Sequence, residues 1–254
     1  MVNKKILVIG SSNTDMTIKS DGLPLPGQTI LGGRFVMGPG GKGANQAVAA
    51  KRLGGDVEFI CKVGHDIFGK NATDGYKKEG IDISHILYST DPSGVALILV
   101  DKTGENVISV APGANGDLSV EDIESIADVI KESDYLILQL EIPIDAVIRA
   151  AQIAHEAGVY VILNPAPACE LPSKIFQYIS LITPNQTETE LMTGVKLNNE
   201  QSFVTAVESF NRMGVKDVII TLGSKGSLVC SEGKHEFIPA IKVNAVDATA
   251  AGDT

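Results

Sequence analysis

Apolar strand-like runs alternate with helix-patterned segments over most of the 254 residues, and that rhythm limits the fold more than any other feature. "KILVIG" (Lys5 to Gly10), "VEFICKVG", "YLILQLE", "VYVILNPAP" and "DVIITLG" read as strands. Between them "GANQAVAAKRLGG", "SVEDIESIADVIKES", "IDAVIRAAQIAHEAG" and "QSFVTAVESFNRMG" carry apolar residues at helical spacing. Ser119 is a candidate N-cap, and Gly54, Gly55 and Gly158 are candidate stops. Such alternation argues for an α/β fold with a mostly parallel sheet sandwiched by helices. In that architecture ligands gather beyond the carboxyl ends of the strands.

Two stretches break the rhythm. "TDMTIKSDGLPLPGQTILGGRFVM" is rich in turn residues with short extended pieces, and "GVALILVDKTGENVISVAPGAN" reads as a hairpin. Together they form one small β-rich lobe inserted twice, over 13–38 and 94–111. The segments 1–12, 39–93 and 112–254 make up the main domain. A formal charge of −10 argues against nucleic acid or an anionic membrane as a partner. "MVNKKILVIG" is too short an apolar run for a signal peptide or a membrane span. Cys61, Cys169 and Cys230 are scattered, so reduced thiols and a cytoplasmic setting are expected. The histidines lack metal-binding spacing, with none in an HExxH arrangement.

The densest chemical signal is "GPGGKGANQAVAAKRLG", from Gly38 to Gly54. It satisfies GxGxxG, yet it does not follow the first strand, as a dinucleotide site requires, so a nicotinamide oxidoreductase is disfavoured. Lys42 is followed by Gly43 rather than Ser or Thr, so it is not a P-loop. The plain alternative is a tight turn joining the lobe to a helix. The functional reading is a grip on a polyhydroxylated molecule. Bare amides at a helix start attract oxygen-rich groups, Lys42 supplies donors, and Asn45 supplies both donors and acceptors. Asn13 and Asp15, after the first strand, add an amide and a carboxylate, or else form an Asx-type turn.

"NTDM", "GGKGANQAVAAKRLG", "LNPAPA", "TPNQTETE", "ITLGSKG" and "DATAAGDT" occur in this order, and across the whole chain the sequence resembles the ribokinase-like family of carbohydrate kinases. The resemblance implies an α/β sandwich with a β-sheet lid, a homodimer paired through the lids, and ATP-dependent phosphorylation of D-ribose at its 5-hydroxyl. Other furanoses such as 2-deoxyribose, or a non-catalytic sugar-binding protein on the same scaffold, are the alternatives. It assigns the sugar to Asn13, Asp15, Gly40, Gly41, Lys42, Asn45 and Glu141. Taken locally, Glu141 is a helix-initiating acid before Pro143.

The resemblance further gives Asn185 and Glu188 the nucleotide's Mg²⁺ and phosphates, largely through water, although a helix N-cap explains the same residues locally. Thr221, Gly223, Ser224 and Gly226 match the family's nucleotide-binding turn, where "GSKG" also suits a hairpin. The backbone amides of Ala250, Ala251 and Gly252 would form an anion hole for the transferring phosphoryl group, with Gly252 also touching the nucleotide. Asp253 would be the general base. Asp247 and Thr249 match positions around a monovalent cation, usually K⁺. A helix is expected to begin near Ala250, and because its first turn cannot stand alone, the natural polypeptide is expected to continue past Thr254.

Overall fold

The computed structural model describes residues 4–243 and 251–253. Among these residues the chain runs from β1 (Lys5–Ile9) into β2 (Asn13–Lys19) and β3 (Arg34–Gly40), then into helix α1 (Lys42–Arg52) and β4 (Asp56–Ile60). It continues through β5 (Lys62–Gly64), α2 (Ile67–Glu79), β6 (Leu87–Ser89), β7 (Gly94–Val100) and β8 (Asn106–Ala111). Next come α3 (Val120–Ser125), α4 (Ala127–Lys131), β9 (Tyr135–Leu138), α5 (Ile144–Glu156) and β10 (Tyr160–Leu163). The last elements are β11 (Leu181–Ile182), α6 (Gln186–Thr193), α7 (Glu200–Met213), β12 (Asp217–Thr221), β13 (Ser227–Ser231) and β14 (Lys234–Ile238).

The main sheet has eight strands in the order β14-β13-β12-β11-β10-β9-β1-β4. From β12 to β4 every pairing is parallel, while β13 and β14 run antiparallel at one edge. Helices cover both faces. On β1, Leu7 and Ile9 join the larger core with α5, whereas Val8 packs with Phe59, Ala44, Ala47 and Tyr76 beneath α1 and α2. This two-sided burial is why the β1 run is apolar without alternation. Strand β1 lies between β4 and β9, so the chain leaves it in opposite directions, and its carboxyl end is the switch point where this fold places ligands.

The second sheet, the lid, is the β-rich lobe of the sequence, with order β3-β2-β7-β8. Its β7–β8 pair is the expected hairpin, whereas β2 and β7 are parallel. Register puts Asp15, Ala96 and Val110 on the face toward the main domain, and Ile18, Phe35, Met37, Leu97 and Val107 on the opposite face.

Two local expectations need correction, and one helix was not anticipated. "VEFICKVG" is two strands: β4 belongs to the main sheet, while β5 pairs with β6 in a separate two-stranded sheet. The chain turns at fully buried Cys61, and Lys62 is drawn to Asp122 Oδ2 at 2.7 Å and to the Asp117 carbonyl at 2.9 Å. "SVEDIESIADVIKES" is not one helix but two, broken at Ile126, where Ser125 Oγ bonds back to the Asp122 carbonyl at 2.7 Å. Ser119 nevertheless caps α3 in a reciprocal capping box. Helix α2 escaped notice because its buried stripe is Gly69, Thr73 and Tyr76, which is helical in spacing but not aliphatic. Asp66 as N-cap and Gly80 as the left-handed terminus were its legible signals.

Candidate active site

The glycine-rich turn meets the carboxyl ends of β1 and β9. Gly41, at φ 93°, takes a backbone that disfavours any side chain and turns the lid strand β3 into α1. A Cβ on Gly40 would lie 2.1 Å from Asp15 Oδ1, so bare backbone here makes room for that carboxylate. Glu141, just past β9, sits against the start of α1. Its Oε2 accepts from the Lys42 backbone N–H at 2.9 Å and from Ser11 Oγ at 2.5 Å. The helix-start amide of Lys42 is therefore satisfied by the protein's own carboxylate, a favourable end for the helix dipole.

Asp253 comes from the far end of the chain to the same place. Lys42 Nζ donates to its Oδ1 at 2.8 Å, and Asn45 Nδ2 donates to its Oδ2 at 2.8 Å. Asp15 is half-buried, and burial, then the charges of Glu141 and Asp253, push its pKa above the usual carboxylate range. Asn13 is buried, and its Oδ1 accepts from Asn115 Nδ2 at 2.7 Å. A cavity of about 400 Å³ opens here, lined by Asn13, Glu141, Val110, Pro112 and Pro167 among others. The structure thus gathers Asn13, Asp15, Gly40, Gly41, Lys42, Asn45, Glu141 and Asp253 around one cleft under the lid.

A second group lies beside it at the ends of β11 and β12. Asn185 caps α6 by accepting from the Glu188 N–H at 2.9 Å, and the Glu188 carboxylate returns to the Asn185 N–H at 2.8 Å and to Asn185 Nδ2 at 2.9 Å. The local helix-cap reading of this pair therefore describes the geometry. Burial raises the Glu188 pKa against the pull of the Asn185 amide and of Lys42, while Asp253 adds to the rise. Thr221 bridges to Asn185, which brings the turn with Gly223, Ser224 and Gly226 alongside. That turn is a tight β12–β13 hairpin closed by Leu222 N–H to the Gly226 carbonyl at 2.8 Å. Ala251 and Gly252 are exposed next to Asp253. Ala250, Asp247, Thr249 and the expected helix start there lie outside the described residues, as does Thr254. Among the described residues no cluster of three or more His, Cys, Asp or Glu could hold a metal.

Sequence reasoning missed Ser11 and Asn115. Ser11 was legible as a polar residue at a strand's carboxyl end, whereas Asn115 lay in a segment read only for its hairpin.

A mostly parallel sheet with a β lid, and carboxylates, a lysine and amides brought together beneath it, suit a protein that binds a polyol. The pfkB family of carbohydrate kinases matches residues 3–254, and the chain belongs to that family. It is 45% identical to the ribokinase of Haemophilus influenzae over 100% of this chain and 83% of the relative. To a deoxyribokinase of Salmonella typhi it is 37% identical, over 98% of this chain and 82% of the relative. The structure of Arabidopsis thaliana ribokinase complexed with ribose and ATP superimposes with a TM-score of 0.89 at 30% identity, covering 100% of this chain and 83% of that one.

Proposed function

We propose that this carbohydrate kinase transfers the γ-phosphoryl group of ATP to the 5-hydroxyl of D-ribose, giving ribose 5-phosphate. The observation that carries the reading is the Asp253 carboxylate, held through both oxygens by Lys42 and Asn45 and close enough to Asp15, with Glu141, to raise its pKa. A neutral polyol needs a carboxylate acceptor and amide and ammonium donors, and the cleft offers both. Asp15 accepts from sugar hydroxyls, Asn13 and Asn45 contribute amides, and Glu141 fixes the glycine turn.

An alcohol attacks phosphorus only if its proton has an acceptor. Asp253 takes that proton as the O–P bond forms and the bond to ADP breaks. The exposed amides of Ala251 and Gly252, with Ala250, receive the charge on the transferring group. Bound Mg²⁺ supplies charge neutralisation on the phosphates. The Glu188 oxygens already accept from Asn185, which fits a metal held through water rather than by a protein cage. The Thr221–Gly226 turn takes the nucleotide, and Asp247 and Thr249 a monovalent cation such as K⁺.

Segments 13–38 and 94–111 serve as the lid over the sugar. A second copy of the chain covers the lid's exposed apolar face, making a homodimer, which light scattering at micromolar concentration tests. Buried Cys61 and Cys230 fit a reducing cytoplasm, and among the described residues no helix is long and apolar enough to cross a membrane.

The decisive experiment compares Asp253→Asn with the parent chain. Turnover falls by about 10²- to 10⁴-fold, while ribose affinity by calorimetry changes little; full turnover in the variant defeats the base assignment. Comparing kcat/KM for ribose and 2-deoxyribose tests the sugar, since a site that pairs a hydroxyl rejects the analogue lacking it. Comparable values would move the assignment to the deoxy sugar.

A further inference from the structure

Asn115 stands where two segments meet: the exit from β1 into the lid, at Ser12 and Asn13, and the return from β8, at Pro112. It is 1% exposed. Its Oδ1 accepts from the Ser12 backbone N–H at 2.8 Å. Its Nδ2 faces the Ser12 carbonyl at 3.1 Å, the Pro112 carbonyl at 3.0 Å and Asn13 Oδ1 at 2.7 Å.

A side-chain amide has two ends that differ only in donating or accepting. Backbone groups have no such freedom. The Ser12 N–H and the Ser12 and Pro112 carbonyls therefore allow the Asn115 amide one orientation. With its NH₂ so fixed, Asn115 presents a donor to Asn13, and Asn13 must answer with its oxygen. The Asn13 Nδ2 is then left without a protein acceptor among the described residues, next to the cavity that Asn13 and Glu141 line.

We infer that Asn115 is a positioning residue that relays backbone polarity to Asn13, so that the cleft presents a hydrogen-bond donor at this point and not an acceptor. Asp15 and Glu141 supply carboxylates nearby, and a fixed donor opposite them orders a polyol hydroxyl as acceptor on one side and donor on the other. Asn115 also borders the cavity, but its amide is spent on Ser12, Asn13 and Pro112 and so acts through Asn13. The inference rests on the sugar-binding role of Asn13 proposed above.

The test uses Asn115→Asp, Asn13→Ala and the double variant, with ribose and ATP varied separately. An ionised Asp at 115 offers only acceptors, so the Asn13 amide turns over and its oxygen faces the sugar, and the assay is run well above the carboxylate range to keep it ionised. The expected result is a ribose KM raised about tenfold or more in Asn115→Asp, as for a lost polar pairing, with kcat and the ATP KM within about twofold. In the Asn13→Ala background the same change adds less than about threefold, because there is no amide left to orient. If the two changes multiply, or if kcat and ribose KM change together, Asn115 acts through the fold and the relay is overturned. If Asn13→Ala is impaired but Asn115→Asp has a normal ribose KM, the relay fails while the sugar-binding reading stands. If Asn13→Ala has a normal ribose KM, that reading fails and the relay with it. Should Asn115→Asp not yield folded protein by circular dichroism, Asn115→Ala in both backgrounds gives the same cycle. It frees the Asn13 amide to take both orientations, and the expected rise in ribose KM is then several-fold, again confined to chains that retain Asn13.

Discussion

The main sheet and the lid use similar strand residues and reach opposite ends. In the main sheet Leu7, Val8, Ile9, Leu136 and Val161 are wholly buried, with helices over both faces. In the lid Phe35, Met37, Leu97, Val107, Ile108 and Val110 remain exposed, and burial is confined to its base, at Asn13, Gly40, Gly94 and Ala96. β-Propensity makes strands in both places, but only the main sheet converts its apolar area into folding energy, at roughly 1.5–3 kcal/mol per fully buried aliphatic or aromatic side chain. The lid is held by its ladders and by the polar junction at its root. Stability and sugar recognition should accordingly separate by region.

The largest expected effect breaks the body. Phe59→Ala removes a fully buried ring that meets Tyr76 edge-on at 5.1 Å, and should cost about 3–5 kcal/mol in denaturant unfolding. A loss below about 1 kcal/mol would mean that the core under α1 and α2 is not the source of stability.

Next comes the root of the lid, where Asp15→Asn should dissociate recognition from stability. Ribose kcat/KM should drop about 10- to 100-fold, the scale of a hydrogen bond to a charged group. Because burial and neighbouring charge raise the folded-state pKa of Asp15, the folded chain holds that proton more tightly than the unfolded chain. Wild-type stability therefore falls as pH rises from the unfolded carboxylate value through the raised one. At neutral pH the Asn variant should melt no lower than wild type, and its relative advantage should shrink toward pH 3. A lower melting temperature at pH 7 contradicts the electrostatic picture.

Asp66 sharpens the same boundary from the other side. It caps α2 through Gly69 N–H at 2.8 Å and holds Ser93, the residue before β7, through its N–H at 2.7 Å and Oγ at 2.8 Å. Burial alone would raise its pKa, but these donors together hold it below the usual value. Its contribution is present above the unfolded carboxylate pKa and fades as pH falls through the depressed folded one. Asp66→Asn should cost about 1 kcal/mol at neutral pH, with the gap to wild type closing in acid; a gap that widens in acid would reverse the sign. The smallest effect belongs to Phe35→Ala on the lid's outer face, at 59% exposure in the single chain, which should shift unfolding of the dissociated monomer by no more than about 0.5 kcal/mol and act instead on association of the proposed dimer.

The same contrast explains what was legible in the sequence. Fully buried strands such as β1 and β9 announce themselves through uninterrupted apolar runs, and α5 through its aliphatic stripe. Helix α2 did not, because glycine, threonine and tyrosine carry its inner face. The break at Cys61 goes with a tertiary anchor, the Lys62 ion cluster, which no local window contains, whereas the break at Ile126 goes with the short-range Ser125 back-bond, a serine signal that the apolar periodicity overrode. In the site, residues that would touch sugar or phosphate stood out as polar types at strand ends. Ser11 and Asn115 act on other protein groups across about a hundred positions of sequence, so their role becomes readable only when the partners are brought together.

The charge set of the cleft carries a consequence for turnover. Asp253 pairs with the Lys42 ammonium, whose charge also reaches Glu188, while Glu141 takes the Lys42 backbone N–H and, with Asp253, acts on Asp15. A free sugar is uncharged and enters such a field without penalty. Once esterified it carries roughly −1.5 to −2 charges at neutral pH, and the same carboxylates now oppose its stay. Under the proposed transfer the cleft would thus hold the charged product less firmly than the free sugar, and release would need no separate trigger.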